Sequence, residues 1–157
     1  MKKYSVDYWI NKFNLQKHEE GGYFCETYRH KTLFQNRNLA TNIFYLLPSG
    51  IFSKFHKLRN DEIWYFHCGS PIKLYFFTIE GVLEEHILGP DPEKGETFSL
   101  LVPGNTVFGG QVTEPDSYAL VSCNMSPGFE YEDSEMYSKE RLLTEFPEYT
   151  EFINRLL

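Results

Sequence analysis

The sequence predicts an all-β fold, an antiparallel sandwich or barrel with short helices at its two ends. Aromatic residues make up 17% of the chain, with 14 Phe and 11 Tyr, and such residues favour strands with large internal surfaces. Between about Tyr23 and Met125, β-rich runs alternate with turn residues at a spacing of roughly ten residues. A chain of 157 residues can bury a core without disulfides or a structural metal.

Short amphipathic helices are predicted outside this β region. Ser5 is a suitable N-cap, and apolar residues follow it at helical spacing: Val6, Trp9, Ile10 and Phe13. The pattern predicts a helix over residues 5 to 13. Near the other end, Ser138 can cap "KERLLTEF", and Pro147 suits the first turn of a further helix.

The region between the helices contains eight runs with strand character. In chain order they are "YFCETYR", "LATNIFYLL", "FSKFHKL", "EIWYFHC", "IKLYFFTI", "VLEEHIL", "TFSLLV" and "YALVSCNM". Glycine, proline and small polar residues separate them, as expected for tight turns. We predict one domain over residues 1 to 157, with its core strands over about 22 to 126.

Charge and cysteine content exclude several classes of protein. The net charge is −7 with no cluster of Lys or Arg, so we expect no nucleic-acid partner, although one or two Arg residues would be enough to hold a phosphorylated ligand. The three cysteines form no CxxC pair, which argues against a disulfide framework or a zinc knuckle. The polar N-terminus is no signal peptide, and no run reaches transmembrane length. We therefore expect a cytoplasmic protein with no membrane partner.

The segment "GIFSKFHKLRNDEIWYFHCG", residues 50 to 69, carries the most informative pattern. Alternation along a strand places His56 and Leu58 on one face, and it does the same for Glu62, Trp64 and Phe66. If the turn over residues 59 to 61 made a hairpin, His56 and Glu62 would face each other inside. A buried imidazole and a buried carboxylate each need a polar partner, so this pair can satisfy each other or a ligand.

The spacing within this segment resembles the first motif of the cupin superfamily. That motif is Gly, five residues, His-x-His, three or four residues, Glu, six residues, Gly, and the chain matches it from Gly50 to Gly69 except that Leu58 replaces the second His. A weaker counterpart of the second motif runs from Gly95 through "PGN" to Phe108, which occupies the position of a ligand His.

Further pieces resemble the small cupin type 5 subfamily of undefined function. They are "HEEGGYFCETYR", "FHKLRNDEIWYFHCG", an "LG…GE…VPG" stretch and "LVSCNMSPGFEYED", which occur in this order over roughly residues 14 to 136. The resemblance implies a double-stranded β-helix, the cupin jelly-roll barrel, with similarity to the nucleotide-sugar epimerase cupins. It also implies a homodimer, which would cover exposed sheet edges.

The resemblance bears directly on a metal cofactor. A typical cupin holds its metal with three imidazoles and one carboxylate, and here Leu58 and Phe108 replace two of the four ligands. His56 and Glu62 alone would hold a divalent ion only weakly. We therefore predict no resident metal or other cofactor.

Three functions remain open. The first is a metal-independent epimerase- or isomerase-like enzyme acting on a carbohydrate derivative, with His56 as the base, Glu62 supporting it and a tyrosine such as Tyr45, Tyr65 or Tyr75 as the acid. The second is a non-catalytic protein that binds or senses a small molecule. The third is a metal-dependent dioxygenase. The predicted ligand-binding residues are Trp64, Phe66, Tyr45, Tyr75 and Phe108, with Arg29 and Arg59 as candidates for anion contact.

Overall fold

The computed structural model describes residues 4–157, so the first three residues of the predicted domain lie outside the described part. Its helices are α1 (Val6–Phe13), α2 (Lys139–Glu145) and α3 (Thr150–Leu156). Its strands are β1 (Gln16–Lys17), β2 (Tyr23–Arg29), β3 (Leu33–Phe34), β4 (Arg37–Asn38), β5 (Thr41–Pro48), β6 (Ser53–Leu58), β7 (Glu62–Gly69), β8 (Ile72–Phe77), β9 (Leu83–Leu88), β10 (Ser99–Val102), β11 (Val107–Val112), β12 (Tyr118–Met125) and β13 (Ser134–Met136). Short 3₁₀ turns cover Pro92–Lys94, Tyr131–Asp133 and Pro147–Tyr149.

The strands form two large antiparallel sheets and one small hairpin. One sheet has the order β1-β2-β5-β12-β7-β10, and the other has the order β13-β6-β11-β8-β9. Strands β3 and β4 pair only with each other among the described residues. From β5 to β8 the chain changes sheet at every step, which is the winding of a jelly roll. The predicted all-β fold, a double-stranded β-helix with helices at both ends, is confirmed.

The conditional hairpin between residues 53 and 69 is not formed. Strand β6 lies in the five-stranded sheet and β7 in the six-stranded one, so residues 59 to 61 carry the chain from one sheet to the other. Strand β6 pairs instead with β11 and β13, whereas β7 pairs with β10 and β12. Their inward faces nevertheless share the space between the sheets, because each strand presents alternate side chains to it.

Apolar side chains are buried on both faces of each sheet. The largest cluster lies between the sheets and includes Leu74, Phe76 and Phe108. Tyr75 and Phe77 point to the opposite face of β8, where they pack against α2 and α3. This explains why "IKLYFF" reads as an almost continuous apolar run: a strand covered on both sides needs no polar face. Helix α1 covers the outer face of the six-stranded sheet in the same way.

The helix ends follow the capping rules inferred from the sequence. The Oγ atom of Ser5 accepts a hydrogen bond from the backbone N–H of Tyr8 at 3.1 Å, and Asn14 ends α1 in a left-handed conformation with φ of 51°. Ser138 caps α2 through the N–H of Arg141. None of the helices within residues 4–157 combines the length and apolar character needed to cross a bilayer.

Candidate functional site

A cavity opens between the two sheets and is lined by residues of β2, β5, β6, β7 and β12. The volume of this cavity is about 90 Å³. The turn before β2 and the loop around residues 129 to 131 complete its wall. Aromatic and aliphatic side chains dominate the lining, and three carboxyl groups enter it: Glu20, Glu26 and Glu62.

The turn between β1 and β2 brings His18 and Glu20 to this cavity. Gly21 and Gly22 have φ of 112° and 69°, and a Cβ atom on either would lie 2.7 or 2.6 Å from a backbone carbonyl oxygen, that of Phe52 or Leu46. Only glycine therefore allows the turn to approach its neighbours this closely. The Tyr45 hydroxyl donates to the carbonyl of Gly21 at 2.8 Å and fixes the turn against β5.

Each nitrogen of the His56 imidazole faces one protein group, the backbone carbonyl of Lys54 or the carboxyl group of Glu20. Its Nδ1 atom lies 2.8 Å from the carbonyl oxygen of Lys54, and because a carbonyl only accepts, Nδ1 carries the proton of the neutral ring. Its Nε2 atom is then an acceptor and lies 3.3 Å from Oε1 of Glu20. His56 is 1% exposed, and burial lowers its pKa despite the opposing effects of the Lys54 carbonyl and the charge of Glu62. The ring is therefore neutral near pH 7.

Glu62 and Trp64 share one face of β7, two residues apart. The indole Nε1–H of Trp64 donates to Oε2 of Glu62 at 2.7 Å. Burial and the nearby charge of Glu20 raise the pKa of Glu62 to about 7, while Trp64 and His56 act in the opposite direction. Burial likewise raises the pKa of Glu20 to about 7, opposed by the charge of His18. Two carboxyl groups in one cavity thus titrate near neutral pH.

His18 differs from His56 in how its ring is held. Its Nδ1 atom accepts a hydrogen bond from the backbone N–H of Glu20 at 3.2 Å, so the proton of the neutral ring lies on Nε2. Its Nδ1 atom is 3.6 Å from Oε2 of Glu20. The ring also makes an edge contact with Phe24, and burial lowers its pKa. Both histidines are therefore neutral neighbours of one carboxyl group.

Among the residues proposed from the sequence, four line the cavity: Arg29, Tyr45, Glu62 and Trp64. His56 is not part of the lining and reaches it through Glu20. Phe108 packs on the ring of His56, with ring centroids 4.1 Å apart, in the core beneath the cavity. Phe66 is half-buried on β7 and packs against the same core. Tyr65 is exposed.

Tyr75 and Arg59 lie away from the cavity, contrary to the sequence-based prediction. Tyr75 faces the C-terminal helices and makes an edge contact with Phe152, because it has the opposite parity to the inward residues of β8. Arg59 lies in the connection between β6 and β7 and lines a separate cavity of about 360 Å³ beside Phe34 and Arg37. The charge of Glu62 raises the pKa of His56 against the effect of burial, but the groups nearest the ring nitrogens are the Lys54 carbonyl and Glu20.

Arg29 lines the cavity, but all five of its N–H donors are engaged. They bind Glu26, the side chain of Asn38, Glu130 and the carbonyl of Phe129. The guanidinium is thus shared between two carboxylates at distances of 2.9 Å. It ties β2 to the loop after β12 and has no donor left for an anionic ligand.

Sequence reasoning missed Glu20 and His18, the two residues that complete the polar group. The segment "HEEGGYFCETYR" contributes to the family resemblance alone, with no role assigned to its polar residues. The signal that could have identified Glu20 is its position directly before a double glycine. A double glycine indicates that the backbone passes close to another strand, which would bring the neighbouring carboxylate into the fold. Which strand that is depends on the tertiary fold.

The residues at the cupin metal position do not fit a metal ion. Leu58 and Phe108 offer no donor atom, and both nitrogens of His56 already have protein partners. Within residues 4–157, no three His, Cys, Asp or Glu side chains are arranged to hold a metal. His18 and His56 lie 3.6 and 3.3 Å from oxygen atoms of Glu20, while Glu62 accepts from Trp64, so these side chains form no shared coordination shell.

Comparison with known proteins gives a consistent family match. The family described as "Cupin superfamily (DUF985)" matches residues 7–137. The chain is 33% identical over 149 residues to the uncharacterized protein YML079W of Saccharomyces cerevisiae. The match covers 82% of this chain and 73% of the yeast protein.

Solved structures agree with this match. Protein SO0799 of Shewanella oneidensis has a TM-score of 0.92 and 37% identity over 98% of both chains. A hypothetical protein from Leishmania major has a TM-score of 0.90 and 30% identity over 97% of this chain and 98% of its own. Oxalate decarboxylase from Bacillus subtilis has a TM-score of 0.60 and 18% identity over 90% of this chain and 37% of its own, a likeness of fold alone.

Proposed function

Since the chain belongs to the DUF985 family of the cupin superfamily, we propose that it binds a small molecule in the cavity between its two sheets. Cavities at the mouth of β-barrels are common ligand sites, especially where an apolar wall carries a few converging polar groups. Here Tyr45 and Trp64 supply aromatic surface, while Glu20 and Glu62 supply the polar groups. A cavity volume of about 90 Å³ suits a molecule no larger than a single ring.

We further propose that the bound molecule undergoes metal-independent proton transfer. The observation that carries this proposal is the presence of two buried carboxyl groups in one cavity, Glu20 and Glu62, each with its pKa raised to about 7. A group whose pKa lies near the working pH is efficient both as an acid and as a base. The reaction class that needs one of each is epimerisation or isomerisation next to a carbonyl group.

In this reaction ionised Glu20 removes the proton from the carbon beside the carbonyl, and the electron pair of that C–H bond forms the enol double bond. Protonated Glu62 donates its proton to the carbonyl oxygen. With an α-hydroxy carbonyl compound, Glu20 then gives its proton to the former carbonyl carbon and Glu62 takes the proton of the neighbouring hydroxyl group, so the carbonyl moves by one carbon and both carboxyl groups return to their starting states. Epimerisation occurs instead when water donates a proton to the opposite face of the carbon, Glu62 takes back the enol proton and Glu20 releases its proton to the resulting hydroxide. His56 acts through Glu20, since its Nε2 atom at 3.3 Å can accept the proton that Glu20 has gained.

A binding role without chemistry is the second candidate, and the aromatic lining favours it. Phe24, Trp64, Phe129 and Tyr131 present ring surface to the cavity, which is sufficient to hold a sugar or aromatic ring without any proton transfer. A metal-dependent dioxygenase receives no comparable support, because the donor set does not fit a metal.

Solvent exchange distinguishes the two candidates. A panel of small aldoses, ketoses and their amino derivatives is incubated with the protein in deuterium oxide, and incorporation at carbon is followed by NMR. We expect exchange with at least one compound, its loss in Glu20→Gln and its retention in Glu19→Gln, which removes an exposed neighbouring carboxylate. If no compound exchanges while one raises the melting temperature, binding without chemistry is the function.

We also propose that the protein is a homodimer. Strand β10 forms one edge of the six-stranded sheet. Leu101 on this strand and Phe98 directly before it are both exposed. Open edges with apolar side chains are commonly covered by a partner chain. Light scattering coupled to size exclusion should give twice the chain mass, and a monomer mass at micromolar concentration contradicts the proposal.

A further inference from the structure

The cavity that serves the proposed function is lined by more acidic than basic side chains. Glu20, Glu26 and Glu62 line it, and Arg29 is the one Lys or Arg side chain among the described lining residues. Arg29 spends its five donors on Glu26, Glu130 and two neutral partners, so this group of three charged residues carries a net charge of −1. An anionic ligand would therefore meet carboxyl groups and no free cationic donor.

One carboxyl oxygen of Glu62 is open to the cavity. Glu62 is 7% exposed and its Oε2 atom accepts from Trp64, whereas its Oε1 atom is not among the buried side-chain atoms of residues 4–157 that lack a partner. Because Glu62 lines the cavity, water or a bound molecule can donate to this oxygen. A donor bearing positive charge satisfies it best, since hydrogen bonds between ions are roughly twice as strong as neutral ones.

The aromatic wall reinforces the same preference. The indole of Trp64 and the phenol ring of Tyr45 meet edge to face, with centroids 5.6 Å apart, and both line the cavity beside Glu62. An ammonium group is attracted to the faces of such rings, most strongly where water is excluded. Carboxylates and aromatic rings together are the chemistry that recognises an organic cation.

We propose that the cavity selects a small molecule bearing an ammonium group, which donates to Glu62 and packs against Trp64 and Tyr45, and that it rejects phosphorylated and carboxylated molecules. This inference rests on the proposed binding function for the location of the ligand and adds its chemical class. It favours the candidate without chemistry, because an ionised Glu62 that binds the ammonium group has no proton to give to a carbonyl oxygen. It excludes the nucleotide-sugar substrates of the epimerase cupins, whose phosphates need free cationic donors.

The pH dependence of binding follows from the groups that face Glu62. His56 lies behind Glu20, and the lining itself carries Glu20, His18, Glu26, Arg29, Tyr45 and Cys123. Burial raises the pKa of Tyr45 and of Cys123, so both stay neutral near pH 7. Both histidines are neutral near pH 7, and Arg29 stays charged, so the two inner carboxyls, those of Glu20 and Glu62, are the groups that change charge there. A cation binds their ionised forms, so its affinity rises as the pH increases through about 7.

Three probes of one shape and different charge test the proposal: benzylamine, benzyl alcohol and benzoate. Titration calorimetry at about pH 8, where the inner carboxyls are mostly ionised, should show benzylamine binding at least roughly tenfold more tightly than benzyl alcohol, with no binding of benzoate. Glu62→Gln, which still accepts from Trp64, should remove the preference for benzylamine and leave the affinity for benzyl alcohol unchanged. Glu148→Gln, an exposed carboxylate outside the cavity, should behave as the unaltered protein.

Benzoate binding as tightly as benzylamine overturns the proposal, and so does equal weakening of all three probes by Glu62→Gln. Absence of binding by all three at millimolar concentration also overturns it. These results are separate from the test of proton transfer. Deuterium exchange that depends on Glu20 without any preference for the cation leaves the proposed function in place, whereas a preference for the cation without exchange supports binding alone.

Discussion

The Nε2 atom of His56 lies 3.3 Å from Oε1 of Glu20, and its Nδ1 atom faces the carbonyl of Lys54 at 2.8 Å. The histidine at the first position of the cupin frame is therefore held as an acceptor directed at a carboxyl group of the β1–β2 turn. Glu20 lines the cavity and His56 lies behind it, whereas burial raises the pKa of Glu20 and the charge of His18 opposes that rise.

The two buried histidines are expected to adopt opposite neutral tautomers. His56 should carry its proton on Nδ1, because Lys54 offers only an acceptor, and His18 should carry it on Nε2, because its Nδ1 accepts from the N–H of Glu20. Two-bond ¹H–¹⁵N correlation spectra near pH 8 distinguish the two forms directly. His56→Gln and His18→Gln assign the signals. Identical tautomers for the two rings would contradict the geometry described for Glu20.

Stability should fall as the pH rises past neutrality. Glu62 has its pKa raised from 4.5 to about 7, so the folded protein binds more protons than the unfolded chain between these values, and stability is lost as the pH increases through about 7. His18 and His56 have lowered pKa values and act in the opposite sense, but only up to about pH 6.5. The fall between about pH 6.5 and 8 therefore reports the carboxyl groups.

Glu62→Gln should reduce the fall between about pH 6.5 and 8 by a little under about 1 kcal/mol, because most of the roughly 3 kcal/mol equivalent of this pKa shift is lost at lower pH. Urea unfolding of both proteins across the same pH range provides the measurement. Glu148→Gln is the control and should keep the original slope, because its carboxylate is exposed. An unchanged slope in Glu62→Gln would show that this carboxyl ionises as easily in the folded protein as in the unfolded chain.

Restoring the two absent imidazoles should create a metal site. Leu58 lines the cavity and Phe108 contacts the ring of His56, so Leu58→His combined with Phe108→His places donors at both replaced positions. We expect at least roughly tenfold tighter Ni²⁺ or Mn²⁺ binding than in the unaltered protein, with Leu58→His alone in between. Leu58→Asn with Phe108→Leu controls for repacking of the core. Equal metal affinity in all variants would show that the four positions do not converge.

The C-terminal helices should depend on one aromatic contact for their attachment. Phe77 is 0% exposed and stacks on Phe146, with ring centroids 4.2 Å apart. Phe77→Ala should cost about 3–5 kcal/mol of unfolding free energy, because it empties a fully buried site. Phe98→Ala, at a ring that is 58% exposed, should change stability by about 0.5 kcal/mol or less. Similar losses for both variants in urea unfolding would contradict this packing.

Two tyrosines proposed from the sequence should differ in their effect on ligands. Tyr45→Phe removes the donor to the Gly21 carbonyl and should cost about 1 kcal/mol while weakening ligand binding, since this bond positions the turn that carries Glu20. Tyr75→Phe should leave binding unchanged, because that hydroxyl faces the C-terminal side of the sheet. Titration with benzylamine compares them. Weaker binding in Tyr75→Phe alone would reverse the assignment of faces.

Much of the fold could be predicted because its signals are local. Turn residues divided the strands, Ser5 and Ser138 marked helix starts, and the spacing from Gly50 to Gly69 gave the cupin frame. Alternation along β7 also placed Glu62 and Trp64 on one face, where the structure has them. These features depend on neighbours within a few residues, so one sequence is sufficient to read them.

The remainder depends on contacts that are distant in the chain. Glu20 meets His56 across 36 positions, and only the closed arrangement of β1, β2 and β5 brings them together. Tyr75 was misplaced because both faces of β8 are apolar, so its sequence does not show which face meets the cavity. Arg59 was misplaced because β6 and β7 enter different sheets.

The position of the β1–β2 turn has a consequence for the proposed chemistry. Its strand β1 has two residues and lies at the rim of the six-stranded sheet, where few bonds must break for it to detach. Glu62 and the aromatic residues Tyr45 and Trp64 belong to inner strands, whereas Glu20 and His18 belong to this rim segment. Under the proposed function, opening of the rim segment would therefore leave a barrel that still binds its ligand and lacks the base Glu20.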